Sequence, residues 1–331
     1  MLCACVVVVS LCARPAMFDV IDCGVMAHHR SSHAYSLNNN STVVGESTLG
    51  FLTPHACVWS EHVVRDVSGG TPSVTLSVAD SGAMTGTYVT SSGDTHGWCY
   101  AQDACGAWTW SDVGTLAGSF CAPNAVNSYG VVVGHSHTSA YENHAFVWKG
   151  GVIRDVFPQY QMSDATSVND RGDVCGYVRT ESGNTVAFVM EHNAEARLLP
   201  SLGGEHSGAL CVTARGDVVG FSSTSQGRRH ACLWRGDVVV DMGVLSGDTT
   251  SSACSANDAG AVIGQSQSLG HPERQFLWTP TSGMVDIAER INTTSFQLER
   301  VSDINNHGEI CGWGYFKGDD APHAVLLRPR L

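Results

Sequence analysis

Val126-Asn127-Ser128-Tyr129-Gly130-Val131-Val132-Val133-Gly134, followed ten residues later by His144-Ala145-Phe146-Val147-Trp148 and then Val152-Ile153-Arg154-Asp155, decides the reading of this chain. The first block puts a turn residue, Asn, and a Gly between two apolar runs. Asn side chains hydrogen-bond their own backbone two residues on, and Gly accepts positive φ, so Asn-x-x-Gly predicts a tight hairpin. The two later blocks are short alternating runs of strand composition. Together they describe four short strands.

The pattern recurs. An apolar pair followed by Gly anchors seven copies, at Gly45, Gly86, Gly134, Gly176, Gly220, Gly264 and Gly312. From first to last this is six steps with a mean of 44.5 residues. We number the repeats one to seven by these anchors and expect each strand to end at its anchor Gly. Four residues before the anchor stands Gly in six copies, with Ser41 as the exception. Seven before it stands Asn in five (Asn38, Asn127, Asn169, Asn257, Asn305), with Ala79 and Thr213 in the other two. The His-x-x-x-Trp block is clear at His55, His144 and His230, and an Asp follows each Trp by seven (Asp66, Asp155, Asp241). Val186 and Arg274 replace the His in repeats four and six.

Four short strands in about 44 residues is the signature of a propeller blade. The expected fold is therefore all-β, a seven-bladed β-propeller of four-stranded antiparallel blades. Phe18-Asp19-Val20-Ile21-Asp22 reads as a fourth strand with no blade before it, and the seventh repeat stops after its third strand, His323 to Leu327. The N-terminal strand is expected to complete the last blade and close the ring, hiding sheet edges that would otherwise aggregate. We expect residues 17–331 to form this single domain, after a leader at 1–16.

These blocks resemble the HAF repeats, named for the His-Ala-Phe of the third strand, over nearly the whole chain. The resemblance is closest in His144 to Trp148, Asp112-Val113-Gly114-Thr115-Leu116-Ala117-Gly118 and Val126 to Gly134. It implies a propeller-like protein that is exported or surface-associated. Leu2 to Cys12 is an eleven-residue apolar run, too short to span a bilayer and long enough for a signal-peptide h-region. No basic residue precedes it, and Ala13 and Ala16 are spaced by three where a cleavage site needs two, so 1–16 reads either as a signal peptide or as a disordered leader. Secretion or surface display is the expected location, a cytoplasmic one the alternative.

Composition excludes several functions. Gly is 36 of 331 residues and only 15% are charged, which suits turns rather than long solvated helices. With 18 basic and 31 acidic residues the net charge is -13, which repels a phosphate backbone, so nucleic acid is not an expected partner. No transmembrane span is expected, and the protein is expected to be a monomer. The thirteen cysteines sit mostly in matching slots of different repeats, such as Cys57 with Cys232 and Cys175 with Cys311. Matching slots lie too far apart to bridge, since a disulfide needs Cα atoms within about 7 Å. They read as small buried apolar residues. Cys99 and Cys105 are the one local pair to test as a staple for the longer, Trp-rich hairpin of repeat two, and whether they bridge is left open.

A residue repeated in five blades stands in five places, whereas active sites are single and asymmetric. The recurrent His, Trp and Asp are thus expected to stabilise blades. No catalytic or cofactor-binding residue is expected, and no cofactor. His135 and His137 are candidate metal ligands, two imidazoles on one side of a strand, with His28 and His29 expected on the same rim. Alternating strand direction puts the Asn turns on one face of the disc and the long links before each His on the other. The variable links (47–54, 89–95, 135–143, 222–229, 265–273, 315–322) make this second face the expected surface for a protein or glycan. The alternative function is a hydrolase or lyase with its site in the central channel.

Overall fold

The computed structural model describes residues 17–50, 53–60, 63–69, 71–192 and 194–330. The leader at 1–16 lies outside the described residues. Each repeat folds as an antiparallel meander, in the third as Ala117–Val126, Val132–Thr138, Asn143–Lys149 and Val152–Asp155. Among the described residues the chain contributes 28 strands and one short 3-10 turn, Ala288–Arg290. The strands join into six hydrogen-bonded sheets, five of four strands and one of eight. The larger sheet differs from the expectation of one separate sheet per repeat. It consists of the second and third repeats joined by a single parallel bridge, Phe120 to Thr95.

The N-terminal strand docks where expected. Phe18–Asp22 pairs antiparallel with His323–Pro329, from Phe18 opposite Pro329 to Asp22 opposite Val325. Phe18 is buried with Ile263, Ile287 and Leu327, so this contact is also a packing contact.

The hairpin turns form as the sequence predicts. The turn Gly four residues before the anchor has positive φ in all six copies, from Gly82 to Gly308, and Ser41, the exception, adopts φ 57° itself. The Asn side chain closes the turn: Oδ1 of Asn127 accepts from the backbone N–H of Tyr129 and of Val131, both at 3.0 Å.

The anchor glycines differ from expectation. The strands run on through them, as in Val43–Thr48 and Val132–Thr138. Their role is close approach. A bulge in each inner strand pushes a backbone carbonyl at the anchor, so a Cβ there would stand 1.8 to 2.1 Å from that oxygen in all seven repeats.

Cores form between adjacent repeats. One unites Ala34, Leu37, Val43, Cys57 and Trp59 of the first repeat with Cys311, Ala324 and Leu326 of the last. Cys57, Cys175, Cys232 and Cys311 are buried and free, as the slot argument requires. Burial is the main cause that pushes the Cys57 thiol up to about 12, with the Asp66 carboxylate adding to it. The proposed staple is absent: Cys99 faces the core and Cys105 sits exposed in the turn beyond it, and both are free. Strand Thr95–Gln102 and strand Trp108–Gly114 hold the long hairpin by their own ladder instead.

Candidate functional site around the central axis

Seven turns meet around one axial cavity of about 220 Å³, each repeat contributing residues such as Asn38, Ala79, Asn127, Asn169, Thr213, Asn257 and Asn305. The small-residue strand is therefore innermost. Each of the five Asn side chains donates Nδ2–H to the backbone carbonyl of the matching residue in the next repeat: Asn38 to Ala79, Asn127 to Asn169, Asn169 to Thr213, Asn257 to Asn305, and Asn305 back to Asn38. The last of these closes the circle. A second circle lies one residue on, where backbone N–H groups of Asn39, Ser128 and Ala214 donate to Asp80, Asp170 and Asp258. At the axis, Asp303 accepts from Ser36 Oγ at 2.9 Å and Ser255 Oγ at 2.6 Å, joining three repeats. Burial pushes its carboxyl up, against these donors, which favour the ionised form.

The recurrent His residues also serve the blades. His55, His96, His144, His230 and His323 each meet an Asp of the fourth strand, at 2.7 to 3.1 Å. For His323 that partner is Asp22 of the docked N-terminal strand. Each Asp in turn accepts from a backbone N–H two residues on, as Asp241 does from Gly243 at 2.7 Å. In repeat six, Arg274 replaces the His and pairs with Asp248 and Asp286.

His135 and His137 lie on one side of strand Val132–Thr138, with the Phe120 ring 5.8 and 5.1 Å away. His135 Nδ1 stands 3.2 Å from Asp164, and His137 packs against Tyr141. His29 is engaged elsewhere, 3.1 Å from Ser47 Oγ. Among the described residues no group of three or more His, Cys, Asp or Glu is placed to hold a metal ion.

Sequence reasoning missed the side chains at the other end of the inner strands. Register pairs His33 with Glu46, Asp164 with Tyr177 and Arg300 with Trp313, on one level of the disc toward the long links. In repeat one, Tyr35 donates to Glu46 at 3.0 Å and His33 Nδ1 lies 3.3 Å from the same carboxylate. In repeat four, Tyr177 donates to Asp164 at 3.1 Å and Asn124 to it at 2.7 Å. Burial, and then the adjacent carboxylate, pushes both tyrosines well above their ordinary value. These positions hold a different residue in almost every repeat, and reading the columns that do not recur would have found them.

On the long-link face, exposed apolar side chains stand on five of the six variable segments: Leu49 (56%), Val89 (45%), Tyr141 (73%), Leu269 (98%) and Tyr315 (36%). Two concave features lie on the Asn-turn face. Beside the axial cavity, a groove of about 510 Å³ between repeats four and five is lined by Arg171, Arg197, Arg215 and Arg235. Tight turns leave the gaps between repeats uncovered there.

A disc of four-stranded antiparallel sheets around an axial cavity is the architecture of the β-propellers. No protein-family model and no curated protein sequence matches the chain. Among solved structures, it is similar to a puromycin-hydrolyzing peptidase from Mycobacterium tuberculosis, with TM-score 0.51 and 12% identity, over 85% of this chain and 48% of the peptidase. It also matches the β-propeller domain of the Trilobed protease from Pyrococcus furiosus (TM-score 0.43, 9% identity, 78% of this chain and 96% of that one). A third match is a TolB protein from Agrobacterium tumefaciens (TM-score 0.49, 13% identity, 81% and 94% covered). At these identities the likeness concerns the fold alone. Among the described residues no helix is long and apolar enough to cross a membrane.

Proposed function

We propose that this chain is a seven-bladed β-propeller of the HAF-repeat kind, acting as a non-catalytic scaffold that binds a protein or glycan through its long-link face. The blade count is supported by the Asn amides, which span five of the seven steps around the axis, each moving one repeat on, with Asn305 returning to Asn38. The observation that carries the function is the exposure of Leu49, Val89, Tyr141, Leu269 and Tyr315 on the links of one face. Variable links on a rigid frame are where binding residues concentrate. The recurrent His, Asp and Asn are meanwhile committed to hydrogen bonds within and between blades. Export or surface display rests on the apolar run Leu2 to Cys12.

The test is capture from native envelope extract and on a glycan array, with the intact protein beside a variant whose six long links are replaced by Gly-Ser. Loss of capture by the variant is expected, and equal capture refutes the reading. The carboxylate–tyrosine pairs Glu46–Tyr35 and Asp164–Tyr177 favour a second reading, an enzyme working in the channel. That reading requires turnover of a substrate that Glu46→Gln or Asp164→Asn abolishes.

A further inference from the structure

Three aromatic rings and one carboxylate converge where the last repeat meets the first. The His33 and Tyr35 rings are nearly parallel, 13° apart in plane with centroids 6.5 Å apart. Trp313 stands perpendicular to both, at 5.1 and 5.9 Å. Glu46 supplies the charge: Oε1 accepts a hydrogen bond from the Tyr35 hydroxyl at 3.0 Å, and His33 Nδ1, which is buried and makes no hydrogen bond, lies 3.3 Å from it. Nothing in the fold demands this set. The place of Tyr35 is taken by Leu76, Asn124, Thr166, Leu210, Cys254 and Ser302 in the other repeats, and that of Glu46 by uncharged or imidazole side chains. The repeats without it fold as the first one does.

Aromatic faces carry negative potential, and a carboxylate beside them adds a full charge, so the combination attracts a weakly hydrated cation. The indole already does so: the Arg300 guanidinium lies over the Trp313 ring at 5.9 Å. The net charge of -13 draws cations toward the disc as a whole. We infer that His33, Tyr35, Glu46 and Trp313 form a binding site for an organic cation, a quaternary ammonium or guanidinium group, at the long-link end of the channel. This goes beyond the scaffold reading and stands independently of the links.

The experiment is calorimetric titration of the full chain with choline, with methylguanidinium, and with 3,3-dimethyl-1-butanol, the neutral isostere of choline. Saturable binding of one cation is expected, with the isostere at least about tenfold weaker. Choline alone identifies a quaternary ammonium site, and methylguanidinium alone a guanidinium site. Glu46→Gln should weaken the cation about tenfold, and Trp313→Leu should do the same should the first variant fail to fold. Arg300→Ala, which removes a competing positive charge, should bind the cation as well as the parent or better. The Gly-Ser link variant should bind it unchanged, which separates this site from the scaffold reading. Absence of binding by both cations at millimolar concentration, equal binding of the isostere, or weakening by Arg300→Ala overturns the inference.

Discussion

Replacing Gly220 by Ala tests the packing rule on which every repeat depends. A methyl group there would stand 2.0 Å from the Gly208 carbonyl oxygen. Ordinary contact between such atoms is roughly 3.3 Å, so backbone must move by more than an ångström. The obstacle is not a flexible side chain. Gly208 lies in the inner strand, whose neighbour Ala209 pairs directly with Gly220, and the bulge between Ala209 and Cys211 fixes its position. The cost belongs at the upper end of overpacking penalties, about 3 kcal/mol. The unfolding entropy of residues 17–330, at about 2.1 cal/mol/K per residue, comes to roughly 0.7 kcal/mol/K, so the expected drop in Tm is about 4 °C. Gly247→Ala is the control: it has open space but φ of 89°, so it carries only left-handed strain of about 1 kcal/mol. Scanning calorimetry of both variants checks this. If Gly220→Ala costs no more than Gly247→Ala, the close-approach argument is wrong.

Phe18→Ala should cost about 3 to 5 kcal/mol, because the ring is fully buried in the core that joins the first strand to the last repeats; urea unfolding measures it, and a loss below about 1 kcal/mol would show the closure to be dispensable. Asn305→Ala leaves the N–H groups of His307 and Glu309 without their side-chain acceptor and takes one of two donors from the Asn38 carbonyl, so about 1 to 3 kcal/mol should be lost, with fast amide exchange at 307 and 309 as the local sign. Glu309 gives a pH prediction. Burial alone would raise its carboxyl, but hydrogen bonds from Ser41, Arg328 and Asn305 outweigh this and hold it below its ordinary value. A folded-state value below the unfolded one adds stability above the unfolded value of about 4.5 that vanishes as pH falls through the folded one. Glu309→Gln should therefore flatten the acid limb of the stability curve and lower stability at pH 7; an unchanged acid limb counts against it.

Much of the architecture was legible because it repeats. Asn-x-x-Gly announced its turn through residue chemistry that acts locally, and the observed φ of 68° at Gly130 is what that chemistry requires. The anchor Gly was visible as a pattern and misread as a strand end, since its cause is a carbonyl twelve residues away in a bulged neighbour. The His–Asp pairs were latent in the constant spacing of eleven from His55 to Asp66, from His144 to Asp155 and from His230 to Asp241. The pairing of Cys99 with Cys105 failed because proximity in sequence does not show which face of a strand a side chain takes. The cluster of His33, Tyr35, Glu46 and Trp313 was illegible for the opposite reason to the turns. It joins residues from opposite ends of the chain, at positions filled by different side chains in sibling repeats, and only closure of the ring makes Trp313 their neighbour.

The docking of Phe18–Asp22 onto His323–Pro329 also orders events in time. During synthesis Phe18–Asp22 waits for His323–Pro329, some three hundred residues later, and until then the apolar Phe18 side chain lacks its packing partner Leu327. Contacts so distant along a chain form slowly, and an open strand edge invites a neighbouring molecule to supply the absent partner. A newly made chain of this kind is therefore most vulnerable to tangling with another copy in the interval before His323–Pro329 emerges.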